Sequence, residues 1–194
     1  MDNDAALAVV SRYVGDLRSA LDRLDSGQIA LFVRELVDAL DGGRRVLIAG
    51  NGGSATTASH MASDLSAAVN TDLLAPTIVI ALADNIARLT AIANDMSYED
   101  VFVWQVEAIG RPGDVLVLIS VSGESRNLLA AAKAARQIGV RTLAMLGRPG
   151  ALFAQSDRSI ILGDGDYGLS EDLHLAVAHI AVRMLRGTHA FRPS

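Results

Sequence analysis

The chain has 194 residues, of which 51% are hydrophobic and 20% charged, with a formal net charge of −5 and no cysteine. That length suits one well-packed domain, and the composition is that of a globular protein. The acidic balance and the lack of a long basic run argue against a nucleic-acid surface; the missing cysteines exclude disulfides and thiolate metal sites; and no apolar stretch approaches the ~18–20 residues that span a bilayer.

The opening MDNDAALAVV has no basic n-region, so no signal peptide is expected and the chain reads as soluble and cytoplasmic. Residues 4–40 hold two helical patterns broken near DSGQ. Leu7, Val10, Tyr13, Val14, Leu17 and Leu21 recur at three- and four-residue spacing, as do Leu31, Val33, Leu36 and Leu40. Asp41-Gly42-Gly43 ends the second helix. Five short apolar runs follow, at 46–49, 77–82, 115–120, 142–146 and 159–162. They are continuous rather than alternating, which predicts strands buried on both faces, as in a parallel sheet. Helical patterns lie between them, at 54–69, 86–93, 97–109, 126–138 and near 150–156, with a last helix over about 169–186. Strand–helix alternation of this kind predicts a doubly wound α/β domain, with no internal repeat or linker.

In such a sheet ligands bind beyond the carboxyl ends of the strands, and two of these ends are unusual. The first is IAGNGGSA (48–55) and the second is LISVSGESRN (118–127). Ser120, Ser122 and Ser125 offer hydroxyl donors just before a helix whose N-terminus adds backbone N–H groups, a combination that suits a phosphate monoester. The same serines would equally cap a helix and fill a turn. Neither loop is a P-loop or a dinucleotide fingerprint. His60 and Asp64 are four residues apart and share one helix face. LSEDLHLAVAHI (169–180) adds Glu171, His174 and His179, with Leu173, Val177 and Ile180 facing elsewhere. A lone helical histidine is usually structural. Two histidines and two carboxylates together would suit zinc or another divalent metal.

GNGGSA…H…D, LTAIANDMSYEDVF, RPGDVLVLISVSGES and ED.H….H occur in the order found in the phosphoheptose isomerases, the sedoheptulose-7-phosphate isomerase branch of the SIS (sugar isomerase) domain, which this chain resembles from about residue 40 to 186. The resemblance implies a single SIS domain over 1–194: a five-stranded parallel sheet flanked by helices (43–188), with two N-terminal helices (1–42) used in oligomerisation. It implies a homotetramer with active sites shared between neighbouring subunits, and an aldose–ketose isomerase that needs a divalent metal and no organic cofactor. By resemblance, Asn51, Gly52, Gly53, Asn94 and Asp95 line the sugar site, and Ser120, Ser122 and Ser125 hold the phosphate, Val121 offering only its backbone. His60, Asp64, Glu171 and His179 fall on zinc positions; Asp64 and Glu171 would also meet substrate, and Asp64 and His179 would carry the acid/base roles. His174 matches a family histidine without an assigned role.

Several residues depart from the family pattern. Asp64 stands for a glutamate, Glu171 for a glutamine, Asp172 for a glutamate and Glu124 for an asparagine, while Val121 removes a hydroxyl. Two carboxylates at the metal positions would neutralise a divalent cation. The Glu124 carboxylate must point away from the loop or repel a phosphate. The alternative reading is a non-catalytic SIS protein that binds a phosphosugar or a protein partner as a regulator; such a protein would be free to lose His60, the carboxylate at 64 and His179.

Overall fold

The computed structural model describes residues 2–69 and 77–190; the outer limits of the expected domain, residues 1 and 191–194, lie outside them. Two helices open the chain. α1 (Asn3–Asp22) starts where the Asp2 carboxylate accepts from the Ala5 N–H, and α2 (Ser26–Asp41) where Asp25 accepts from the Gly27 and Gln28 N–H groups. The break at DSGQ is therefore a cap, an acidic side chain satisfying the first free amides of a helix. The core face of α2 is Ile29, Phe32, Val33, Leu36, Val37 and Leu40. Leu31, which the spacing assigned to that face, is exposed instead; it lies one step off the stripe that Phe32 and Val33 define.

The five predicted strands form one parallel sheet in the order β2-β1-β3-β4-β5. They are β1 (Val46–Gly50), β2 (Val79–Ala81), β3 (Val115–Ser120), β4 (Arg141–Leu146) and β5 (Arg158–Ile161). Between and after them run α3 (Gly53–Ala68), α4 (Ile86–Asp95), a 3₁₀ turn (Tyr98–Asp100), α5 (Val103–Ile109), α6 (Arg126–Gln137), α7 (Ala151–Gln155) and α8 (Tyr167–Ala190).

Alternate strand residues feed two cores, because successive side chains of a strand point to opposite faces. Val46, Ile48, Val115, Val117 and Ile119 pack with Phe32, Leu36, Met61, Leu65, Leu173 and Val177. Leu47, Ala49, Leu116 and Leu118 pack on the other side with Phe102, Val106, Leu128 and Ala131. Both faces are covered, which is why the strands read as continuous apolar runs. Ile180, grouped by spacing with Leu173 and Val177, is 38% exposed. Among the described residues no helix is long and apolar enough to cross a membrane.

The strand order places the functional end of the molecule. The chain goes from β1 to β2 on one side, then crosses β1 to lay β3 on the other. The switch point lies between the carboxyl ends of β1 and β3, where adjacent connections leave in opposite directions and open a crevice. Gly50 pairs with Ile119 at that end, so the two unusual loops begin side by side.

Candidate active site

At the end of β1 the chain turns through Asn51 and Gly52 into α3. Gly52 has φ 55° and ψ −124°, a backbone conformation that a side chain would strain. At Gly53 a Cβ would overlap the carboxylate of Glu171, which α8 lays against the start of α3. Gly52 is thus required by its backbone conformation, and Gly53 leaves room for the Glu171 carboxylate. Asn51, Gly52, Gly53, Ser120, Val121, Ser122, Ser125 and Glu171 all line one cavity of about 300 Å³, joined by Ser54, Ile119 and Tyr167. Its size is that of a small-molecule site.

The serine loop is pre-arranged. Ser120 Oγ accepts from the Gly123 N–H at 3.0 Å, and Ser122 Oγ accepts from the Glu124 N–H at 3.2 Å. A hydroxyl that accepts from the backbone keeps its own proton to donate. Ser125 is the N-cap residue of α6, yet its side chain makes no capping bond. Ser120 and Ser122 do shape the turn, whereas the Ser125 hydroxyl is not spent on the helix. Val121 is buried, and its carbonyl accepts from the Arg148 N–H. The Glu124 carboxylate turns away from the loop to accept from the Ala151 N–H at 2.8 Å, at the start of α7. Its charge meets a helix N-terminus rather than a ligand.

A second cluster lies further along α3 and α8. Asp64 Oδ2 is 3.3 Å from His60 Nε2 and 3.8 Å from His179 Nε2, and the two imidazoles meet edge to face with centroids 5.3 Å apart. One ligand atom from each of the three residues lies within 4.8 Å of the others. Two imidazoles and a carboxylate, half open to solvent, fit a divalent ion such as zinc held by three protein ligands with a position left free. Glu171 stands outside this group. Eight residues of α8 separate it from His179, a rise of roughly 12 Å, and its carboxylate lies at Gly53. Within one chain the His60–Asp64–His179 group thus holds a single carboxylate, Asp64, with the Glu171 carboxylate at Gly53. Asn94 and Asp95 end α4 exposed, hydrogen-bonded to each other at 2.8 Å, and are not on the cavity wall; Asp64 is not on it either.

His174 is fully buried. Burial lowers its pKa from 6.5 to about 4; the Leu146 carbonyl opposes that shift but is not in hydrogen-bond geometry with either ring nitrogen. Ser170 Oγ, one turn earlier on α8, is likewise buried without a hydrogen-bond partner among the described residues. The sequence reading did not single out Tyr98, Asn127 or Tyr167. Tyr98 and Asn127 hold Asn51, and Tyr167 lines the cavity. Tyr98 lies within AIANDMSYEDVF and Asn127 ends LISVSGESRN, but no spacing rule marks either.

Residues 11–147 match the family model described as SIS domain. The chain is 35% identical over 176 residues to a phosphoheptose isomerase of Chlorobaculum parvum, covering 89% of this chain and 84% of the relative. It is 43% identical over 163 residues to a phosphoheptose isomerase of Streptomyces coelicolor, covering 81% and 70% of the two chains. The solved structure of a phosphoheptose isomerase from Francisella tularensis superposes with a TM-score of 0.84 at 26% identity, covering 96% of this chain and all of that one.

Proposed function

Because the chain belongs to the phosphoheptose isomerase family of SIS-domain proteins, we propose that it interconverts sedoheptulose 7-phosphate and D-glycero-D-manno-heptose 7-phosphate. It is an aldose–ketose isomerase. The observation that carries the substrate class is the cavity at the switch point, where the Asn-Gly-Gly turn and three serines share one wall, the Ser120 and Ser122 hydroxyls 3.5 Å apart and the Ser125 hydroxyl making no capping bond. Ser120, Ser122 and Ser125 bind the phosphate with neutral donors, and the remote binding energy orients the reacting carbons. Asn51, Gly52 and Gly53 face the sugar.

The reaction moves one proton. A base removes it from C1 of the ketose, the electron pair forms an enediolate across C1 and C2, and the proton is returned at C2 as the oxygen protons redistribute. Asp64 and His179 supply the acid and the base, being adjacent and each able to hold a proton. His60, Asp64 and His179 would hold the divalent ion, zinc by its donor set, which when bound acts as a Lewis acid toward charge developing on the sugar oxygens.

Two turns of α3, roughly 10 Å, separate Gly53 at the cavity from His60. This supports a site in which the cavity of one copy is completed by the His60–Asp64–His179 group of another, within a homotetramer. A phosphorylated substrate and a cysteine-free chain support a cytoplasmic location.

The test is incubation of zinc-loaded protein with sedoheptulose 7-phosphate, followed by NMR. Growth of aldose anomeric signals to an equilibrium ratio is expected. Binding of the sugar phosphate without any aldose would overturn the isomerase reading in favour of a phosphosugar-sensing role.

A further inference from the structure

We infer that Tyr98 and Asn127 are positioning residues that lock the Asn51 carboxamide in one orientation, so that Asn51 offers the ligand a single N–H donor and no acceptor. The inference rests on the phosphosugar reading of the cavity. Asn51 Nδ2 donates to Asn127 Oδ1 at 2.9 Å, and Asn127 Nδ2 donates back to Asn51 Oδ1 at 2.8 Å. Tyr98 Oη donates to the same Asn51 Oδ1 at 3.0 Å.

A carboxamide has two acceptor lone pairs and two donor hydrogens. Both lone pairs of Asn51 Oδ1 are occupied, and one hydrogen of Nδ2 is committed to Asn127. One hydrogen is left, on a residue of the cavity wall. The three partners come from three elements: the β1–α3 turn, the 3₁₀ turn and the first turn of α6. Asn127 is 3% exposed, so its half of the pair is shielded from water, where such bonds hold best. Tyr98 breaks the symmetry. An amide pair alone survives turning both groups over, but the tyrosine hydroxyl favours the orientation that puts an oxygen beside it.

The ligand atom opposite Asn51 must therefore be an acceptor, a carbonyl or hydroxyl oxygen of the sugar. Removing the Tyr98 hydroxyl frees a lone pair and lets the amide turn; removing Asn127 leaves Asn51 unheld. Neither change touches the serine loop's hydrogen bonds.

The experiment compares Tyr98→Phe and Asn127→Leu with wild type, using sedoheptulose 7-phosphate as substrate and inorganic phosphate as competitive inhibitor. Tyr98 is 56% exposed, so its variant folds. For Tyr98→Phe we expect kcat/KM to fall about 3- to 10-fold, the worth of one hydrogen bond, and for Asn127→Leu about 10- to 100-fold. The inhibition constant of phosphate should stay at the wild-type value in both. Unchanged kcat/KM in Tyr98→Phe overturns the inference, as does a parallel loss of phosphate inhibition, which marks general damage to the site. Wild-type protein inactive on this substrate would instead overturn the isomerase reading; calorimetric affinities for the same two probes then test the clamp by the same criterion.

Discussion

At the scale of single residues, the serine loop and His174 make opposite uses of polarity. Ser122 and Ser125 place hydroxyls on the cavity wall, so each is expected to donate to a charged acceptor. Replacing either with alanine should weaken sugar-phosphate binding by about 1–3 kcal/mol, measured by calorimetry; an unphosphorylated heptulose turning over as well as the phosphate ester would remove the loop's assigned role. His174 is held neutral by burial, with a pKa of about 4 against 6.5 when unfolded. As pH falls below 6.5 the unfolded chain takes up this proton first, so the stability contribution is full above that value and drains away down to about 4. The loss is on the order of 3 kcal/mol. His174→Leu should therefore narrow the difference in unfolding free energy between pH 7.5 and pH 4.5, read from urea titrations. An unchanged difference would mean the ring is not the group that titrates.

At the scale of elements, α3 and α8 together build the proposed chemical centre. His60 and Asp64 come from one face of α3 at i, i+4, and His179 reaches them because α8 packs along α3. Glu171 meets α3 at its first residue, two turns from the histidines, where it closes the cavity floor. This separates two roles that a sequence comparison merges. Asp64→Asn, His60→Ala and His179→Ala should each lower zinc affinity by about tenfold or more, since each removes a proposed ligand. Glu171→Gln should leave zinc affinity unchanged and alter sugar-phosphate binding. Calorimetric titration of the four apo variants with zinc is the check; Glu171→Gln losing zinc as readily as Asp64→Asn would return Glu171 to the metal.

At the scale of the whole molecule, α1 is the element without a finished environment. Leu7, Val9 and Val10 are about 60% exposed, Val14 and Leu21 are 43% and 45% exposed, and only Ala20 of this helix is buried. Tyr13 donates to Asp172 and Arg23 pairs with Asp164, so α1 is tied to α8 and to the loop before it by polar contacts at its rim. The Asp172 hydrogen bond raises the Tyr13 pKa. An exposed apolar stripe of this length supports the proposal that α1 packs against another copy. Leu7→Glu with Val10→Glu should convert the proposed homotetramer into smaller species in sedimentation, with the melting temperature largely kept. A wild-type monomer at micromolar concentration would exclude the shared site. The sequence by itself determined the α/β class, the five strands, the glycine turn and the His60–Asp64 pair, because these depend on hydrophobic period and on spacing along one helix. It also marked the serines, which cluster in the six residues 120–125. Only the tertiary structure decided where Glu171 points, that Glu124 faces α7, that Asn94 and Asp95 stay off the cavity wall, and that Tyr98 and Asn127 grip Asn51. Each of these is set by how helices and loops far apart in the chain pack on the sheet, and no local periodicity encodes it.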